Sequence, residues 1–170
     1  MDYGNSDKSG RRRKLTVIMT KKEVLSHLPY QEPFLFVDGL TNLDQNSVCG
    51  HYTFKADALF YQGHFKNSPV TPGVLLTECC AQIGLVCLGI YLLDQQMDLV
   101  AVTNLKIAMS RSQMDFYLPV LPGEKVTVKS EKEYFRFNKL KCKVKLFNAE
   151  DRLVCKGILE GMFKSNADEK

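Results

Sequence analysis

Two hydrophobic patterns divide this chain. From Val74 to Leu93 nearly every position is apolar, broken only by Thr77, Glu78, Gln82 and two interior glycines. That run predicts one helix buried on all sides, as a wrapping sheet would require. After Asp98 the period changes to two, and residues 100–107, 113–118, 125–136, 140–147 and 153–163 are predicted strands. Between Lys139 and Leu146 every second residue is Lys, which puts Leu140, Cys142, Val144 and Leu146 on the core face and the lysines in water. The stretch from Asn148 to Asp151 supplies a hairpin turn, while Pro119, Pro122 and Gly123 mark an edge or a bulge. Upstream, Thr20 and Glu23 have capping-box spacing for a short helix over 20–27, stopped by Pro29. A buried strand is predicted to begin at 34–37, and a second, over 47–55, follows the turn at 44–46. The expected fold class is α+β, a long central helix wrapped by an antiparallel sheet of about six strands.

The twenty-residue apolar run is long enough to span a bilayer. Glu78 and Gln82 on one face, the interior glycines and the lack of a flanking basic cluster argue instead for a core helix, and no membrane partner is expected. With 170 residues, 45% hydrophobic and 25% charged, the chain suits one domain that folds without a disulfide framework or structural metal. Its six cysteines form no C-x-x-C pair, so buried reduced thiols are expected rather than a zinc or redox site.

Charge adds a boundary. Residues 1–18 hold five basic and two acidic side chains, accounting for +3 of the net +4. This basic leader reads as disordered and has no apolar stretch of the signal-peptide kind, which predicts a cytoplasmic protein. Its RRRK run has no aromatic neighbours and reads as a solvated tail rather than a nucleic-acid site. The expected domain is 19–164, with 165–170 a disordered tail.

The chemistry concentrates between Phe60 and Gln82. Gly63 permits a tight turn beside His64, and Pro72 fits a first helical turn. Gly73 then offers an unobstructed N–H at the positive end of a long helix, where an oxyanion can be held. One turn on, Glu78 projects from an apolar helix, where desolvation would raise its pKa toward that of a general acid. A base, an acid and an oxyanion donor suit removal of a proton α to a carbonyl with loss of a β hydroxyl. Each residue alone also admits a structural role, since loop histidines are often solvated and a lone acid in a helix often bonds a neighbour.

Gly63-His64-Phe65, Pro69-Val70, Pro72-Gly73-Val74-Leu75, Glu78 and Ala81-Gln82 resemble the signature of the hot-dog-fold 3-hydroxyacyl-acyl-carrier-protein dehydratases of fatty acid synthesis. The stretch from Pro33 to Asp38 is similar to that family's N-terminal strand, and Phe116 with residues 119–124 to its later turn. The likeness spans roughly residues 20 to 163, and His64 and Glu78 keep the family's separation of fourteen. It implies a homodimer, or three such dimers, in which His64 of one subunit meets Glu78 of the other. The acyl chain would arrive on the phosphopantetheine of an acyl carrier protein and lie in a tunnel between subunits. His64 would take the C2 proton, Glu78 would protonate the leaving hydroxyl, and Gly73 would polarise the thioester carbonyl, with no metal or organic cofactor. Gly63, Phe65, Pro72, Val74, Gln82, Phe34 and Phe116 would support the site or line the tunnel.

Lys66, Ser68, Thr71 and the pair Tyr30-Gln31 depart from the family pattern, pointing toward a specialised acyl chain, as in polyketide or aryl-pigment synthesis, beside the fatty acid role. Lys66 is a possible contact for the carrier. The same fold also admits an acyl thioesterase or a non-catalytic subunit that binds acyl carriers.

Overall fold

A computed structural model of the chain describes residues 18–96 and 105–164. The tail at 165–170, the leader before Ile18 and most of the predicted strand at 100–107 lie outside the described residues.

A short helix α1 (Lys21–Ser26) opens the fold, and its capping box forms as expected. The Thr20 hydroxyl accepts the Glu23 amide, and the Glu23 carboxylate accepts the Thr20 amide at 2.7 Å. Just before it, the main chain of buried Met19 donates to the buried Asp94 carboxylate at 3.2 Å, fastening this end of the chain to the long helix. Six strands follow, β1 (Gly39–Leu43), β2 (Ser47–Thr53), β3 (Lys106–Phe116), β4 (Lys125–Arg136), β5 (Lys139–Phe147) and β6 (Leu153–Lys164). They form one antiparallel sheet in the order β1-β2-β4-β5-β6-β3. Alternation sets its faces. Leu140, Cys142, Val144 and Leu146 are buried, while Lys143 and Lys145 between them are exposed.

The long helix α2 (Gly73–Gln96) has 24 residues and is apolar enough to cross a membrane, but here its apolar surface packs into the sheet. Ile83, Leu85, Leu88 and Ile90 are fully buried. This is the hot-dog arrangement, a sheet wrapped round a central helix. Ala81–Cys87 winds as a π-helix, wider than the flanking α-helical turns. The Ser130 hydroxyl on β4 donates to the Gly84 carbonyl at 2.9 Å within it. A Cβ at Gly84 would lie 2.8 Å from Val144 Cγ1 and 3.0 Å from Ser130 Cβ, so helix and sheet meet here only because the residue is glycine. Gly84→Val should cost about 1–3 kcal/mol through overpacking, measurable by urea unfolding.

Three expectations are corrected. The strand expected to begin at 34–37 starts only at Gly39, and residues 34–37 are extended but unpaired with the sheet. Their main chain bonds to side chains of α2 instead, the Phe36 amide to Gln82 Oε1 at 2.8 Å and the Phe34 carbonyl to Gln82 Nε2 at 3.0 Å. The segment at 113–118 is not a separate strand either. Lys106–Phe116 is continuous, with a register shift between Met109 and Arg111. It lies at the sheet edge and is exposed along most of its length, which removes the alternation by which a half-buried strand is recognised. Finally, Pro72 caps α2 from an extended conformation, leaving Gly73 as the first helical residue.

On the outer face, Glu160 accepts from Lys139 at 2.7 Å and lies 3.7 Å from Arg111. The Lys139 hydrogen bond, with the charges of Lys139 and Arg111, holds its carboxyl below the ordinary range. The folded state thus binds this proton less tightly than the unfolded chain. Its stabilising contribution is complete above the ordinary carboxylate pKa and lost as pH falls through the lowered folded value. Glu160→Gln should therefore narrow the difference from wild type as urea titrations step from about pH 7 to about pH 3.

Candidate active site

A turn of 3-10 helix (Leu59–Gln62) leads into the loop that holds His64. The His64 amide donates to the Phe60 carbonyl at 3.0 Å, and the His64 carbonyl accepts the Val70 amide at 3.0 Å. The ring is fixed as well, with Nδ1 2.8 Å from the Val70 carbonyl. A carbonyl only accepts, so Nδ1 carries the hydrogen and Nε2 of the neutral ring keeps the free lone pair. Phe65 stacks on the imidazole with centroids 4.0 Å apart. The loop is anchored from behind, where the Thr71 amide donates to the Val120 carbonyl at 2.8 Å and the Thr71 hydroxyl pairs with the Tyr61 hydroxyl at 2.6 Å.

Gly63 is less special than its spacing suggests. Its φ of −111° suits any residue, and nothing in this chain comes within 4 Å of where a Cβ would stand. Gly73 is the opposite case. The Phe116 ring lies 3.3 Å from its Cβ position, so the bare backbone at the start of α2 lets β3 close over it.

Glu78 is half-buried and is held by Gln82, whose Nε2 donates to Glu78 Oε1 at 2.9 Å. Gln82 is fully buried and spends its remaining bonds on the Phe34 carbonyl and Phe36 amide. One amide therefore sets both the acid and the chain wall facing it. Tyr30 adds a neighbour that motif spacing could not locate. Its phenol is pushed up to about 12, chiefly by burial and then by the Glu78 carboxylate and Cys87.

Phe34 and Phe36, which Gln82 bonds, border a cleft of about 470 Å³ that is lined by neither His64 nor Glu78. Phe34, Phe36, Tyr52, Phe60 and Leu75 line it, and the Lys55–Glu32 ion pair at 2.6 Å stands at its margin.

Among the described residues no hydrogen bond or ion pair joins His64 to Glu78 within the chain. Around the site, Phe34, Phe65, Val74 and Phe116 are about half exposed or more, reaching 76% for Val74. Lys66 is exposed. Cys79, Cys80, Cys87, Cys142 and Cys155 are buried free thiols, whereas Cys49 is only half-buried, short of the burial expected of the cysteines.

The model of the FabA-like domain family matches residues 28–157. The 3-hydroxyacyl-[acyl-carrier-protein] dehydratase FabZ of Chlamydia trachomatis is 33% identical over 112 residues, 65% of this chain and 70% of that protein. Its Acinetobacter baumannii counterpart is 29% identical over 113 residues, covering 66% and 75%. Among solved structures, the dehydratase heterocomplex ApeI:P from Xenorhabdus doucetiae is similar with a TM-score of 0.70 at 11% identity, covering 86% of this chain and 93% of that one. A hypothetical thioesterase with coenzyme A from Streptococcus pneumoniae gives 0.55 at 18%, covering 74% and 84%. At these identities the structural likenesses show the shared fold.

Proposed function

Because the chain belongs to the FabA-like domain family of hot-dog dehydratases, we propose that it removes water from a 3-hydroxyacyl thioester on an acyl carrier protein, in fatty acid synthesis or a related polyketide or aryl-pigment route. The observation that carries this reading is the His64 tautomer, which leaves Nε2 free to act as a base. Nε2 takes the C2 proton, and the electrons of that bond form the C2–C3 double bond as the C3–O bond breaks. Glu78 of a second copy gives its proton to the departing hydroxyl, and water and a trans-2-enoyl thioester leave. The Gly73 N–H, at the start of α2, donates a hydrogen bond to the thioester oxygen as negative charge builds on it. No metal or organic cofactor enters the scheme.

A homodimer, alone or as three such dimers, is part of the proposal. The exposed apolar residues round the site and the open edge of β3 are what a second copy would cover. Exposed Lys66 stands close to His64 in the same loop, where an acidic carrier would approach.

The likeness to thioesterases supports one competing reading, hydrolysis of the thioester. Mass spectrometry of a 3-hydroxyacyl carrier protein after incubation separates the two. Loss of water that disappears in His64→Ala and Glu78→Gln fits dehydration, whereas release of free acid would replace that reading with hydrolysis. An unchanged substrate at every chain length would leave a non-catalytic carrier-binding subunit.

A further inference from the structure

We propose that Tyr61 and Thr71 are positioning residues for His64, their buried hydroxyl pair closing the neck of its loop so that one peptide unit can hold the imidazole in the tautomer that works as a base. This rests on the dehydratase reading for the part His64 plays and adds two residues to it.

The peptide between Val70 and Thr71 is bonded at both ends. Its carbonyl faces His64 Nδ1 at 2.8 Å, and its N–H donates to the Val120 carbonyl at 2.8 Å. Because the unit is planar, fixing the N–H fixes the direction in which the carbonyl points. A bond made by the N–H also polarises the carbonyl, which strengthens its grip on the Nδ1 hydrogen. Val120 is itself a firm stop. It is fully buried in the strap between β3 and β4, where the Tyr117 and Leu118 amides donate to the Val154 carbonyl at 2.8 and 3.3 Å and the Gly123 amide donates to the Phe54 carbonyl at 2.7 Å.

The strap fixes only one side of the loop. His64 hangs from the 3-10 turn on the other side, through its amide bond to the Phe60 carbonyl. Tyr61 and Thr71, ten residues apart and both buried, join the two sides through their hydroxyls at 2.6 Å. Burial pushes the Tyr61 phenol up, so both partners stay neutral near neutral pH and the bond persists. Without that bond, the hydrogen bonds left between residues 59–64 and 69–71, among the described residues, are those His64 itself makes with Val70, through its carbonyl at 3.0 Å and its ring at 2.8 Å. The base would then have to hold its own loop shut. A ring released from Val70 exchanges tautomers, and the form with its hydrogen on Nε2 has no lone pair there for the C2 proton.

The test uses the full chain labelled with nitrogen-15 histidine. There are three histidines, so the His64 signals are identified by their absence in His64→Ala. At alkaline pH, where imidazole is neutral, the wild type should show a protonated Nδ1 and an unprotonated Nε2. Tyr61→Phe and Thr71→Val each strand one buried hydroxyl, and should show averaged nitrogen signals and a kcat lower by about tenfold, with KM changed by less than about twofold. Thr71→Ser keeps the hydroxyl and the amide and should restore both readouts. The decisive variant is the double Tyr61→Phe, Thr71→Val. With both hydroxyls gone no buried polar group is stranded, so its urea midpoint should return toward that of the wild type while kcat and the His64 tautomer stay impaired. A double variant that regains kcat together with stability, or single variants in which His64 keeps one tautomer, would reduce the pair to a structural bond and overturn the proposal. If no substrate loses water in the wild type, the dehydratase reading fails, and the nitrogen spectra still decide whether the pair sets the His64 tautomer.

Discussion

Two inactive variants of this protein, mixed and allowed to exchange subunits, should regain activity. His64→Ala removes the base and Glu78→Gln removes the acid, and each is expected to lower dehydration by about 10²- to 10⁴-fold. In a hybrid dimer the Glu78→Gln chain still supplies His64, and the His64→Ala chain still supplies Glu78. One of the two sites is then whole. With statistical exchange the mixture should reach about a quarter of wild-type activity. The expectation follows from the geometry of the single chain, where His64 is bonded to Val70 and Glu78 to Gln82, and no bond joins them among the described residues. The half-exposed Phe34 and Phe116 rings support it, because apolar surface beside a reaction centre needs a cover that excludes water. Exchange is verified by mass spectrometry of differently tagged chains. A mixture that has exchanged but stays inactive would place both residues of each site in one subunit.

Removing the Gln82 amide should damage stability and catalysis together. Gln82→Met preserves most of the volume and loses three hydrogen bonds, those to the Phe36 amide, the Phe34 carbonyl and Glu78. Stranding the buried Phe36 amide costs about 1–3 kcal/mol, and the Phe34 carbonyl and Glu78 carboxylate, only partly buried, recover much of their loss from water, so a loss of about 1–3 kcal/mol is expected. Urea unfolding reads this directly. Catalysis should suffer separately. With its donor gone, Glu78 is free to rotate, and an acid misplaced by about 1 Å loses on the order of 10² in rate. That loss should fall on kcat more than on KM, since Gln82 positions the acid and bears only indirectly on grip. A destabilised variant with an unchanged kcat would reduce Gln82 to a structural clamp.

What the sequence disclosed follows the reach of each interaction. The helix at 74–93, the Lys-alternating strand and the Thr20–Glu23 cap depend on neighbours within a few residues, so their periodicities could be read directly. The extended segment at 34–37 looks in sequence like the start of a strand because its partner is a glutamine side chain 46 residues away from Phe36. The full length of β3 is not legible in sequence because an exposed edge strand with a register shift has no inner face to write an alternating pattern. Within the site, His64, Glu78 and Gln82 stood out through spacing and polarity. The Val70 carbonyl did not, because every residue carries one and only the loop's path chooses it. Tyr30 likewise showed only as a departure from a pattern, since its nearness to Glu78 arises when the chain before β1 folds back on α2.

The Gln82 amide also joins two tasks that enzymes often keep apart. Anything that displaced the Phe34 main chain would pull on the same nitrogen that steadies Glu78, so a poor fit there would be transmitted to the acid. Errors of substrate choice would then surface as delay after binding, with a misfit ligand held almost as tightly as the right one and waiting far longer for its proton. Such a protein would discriminate by timing, and in a crowded pool of acyl carriers the wrong ones would act chiefly as inhibitors.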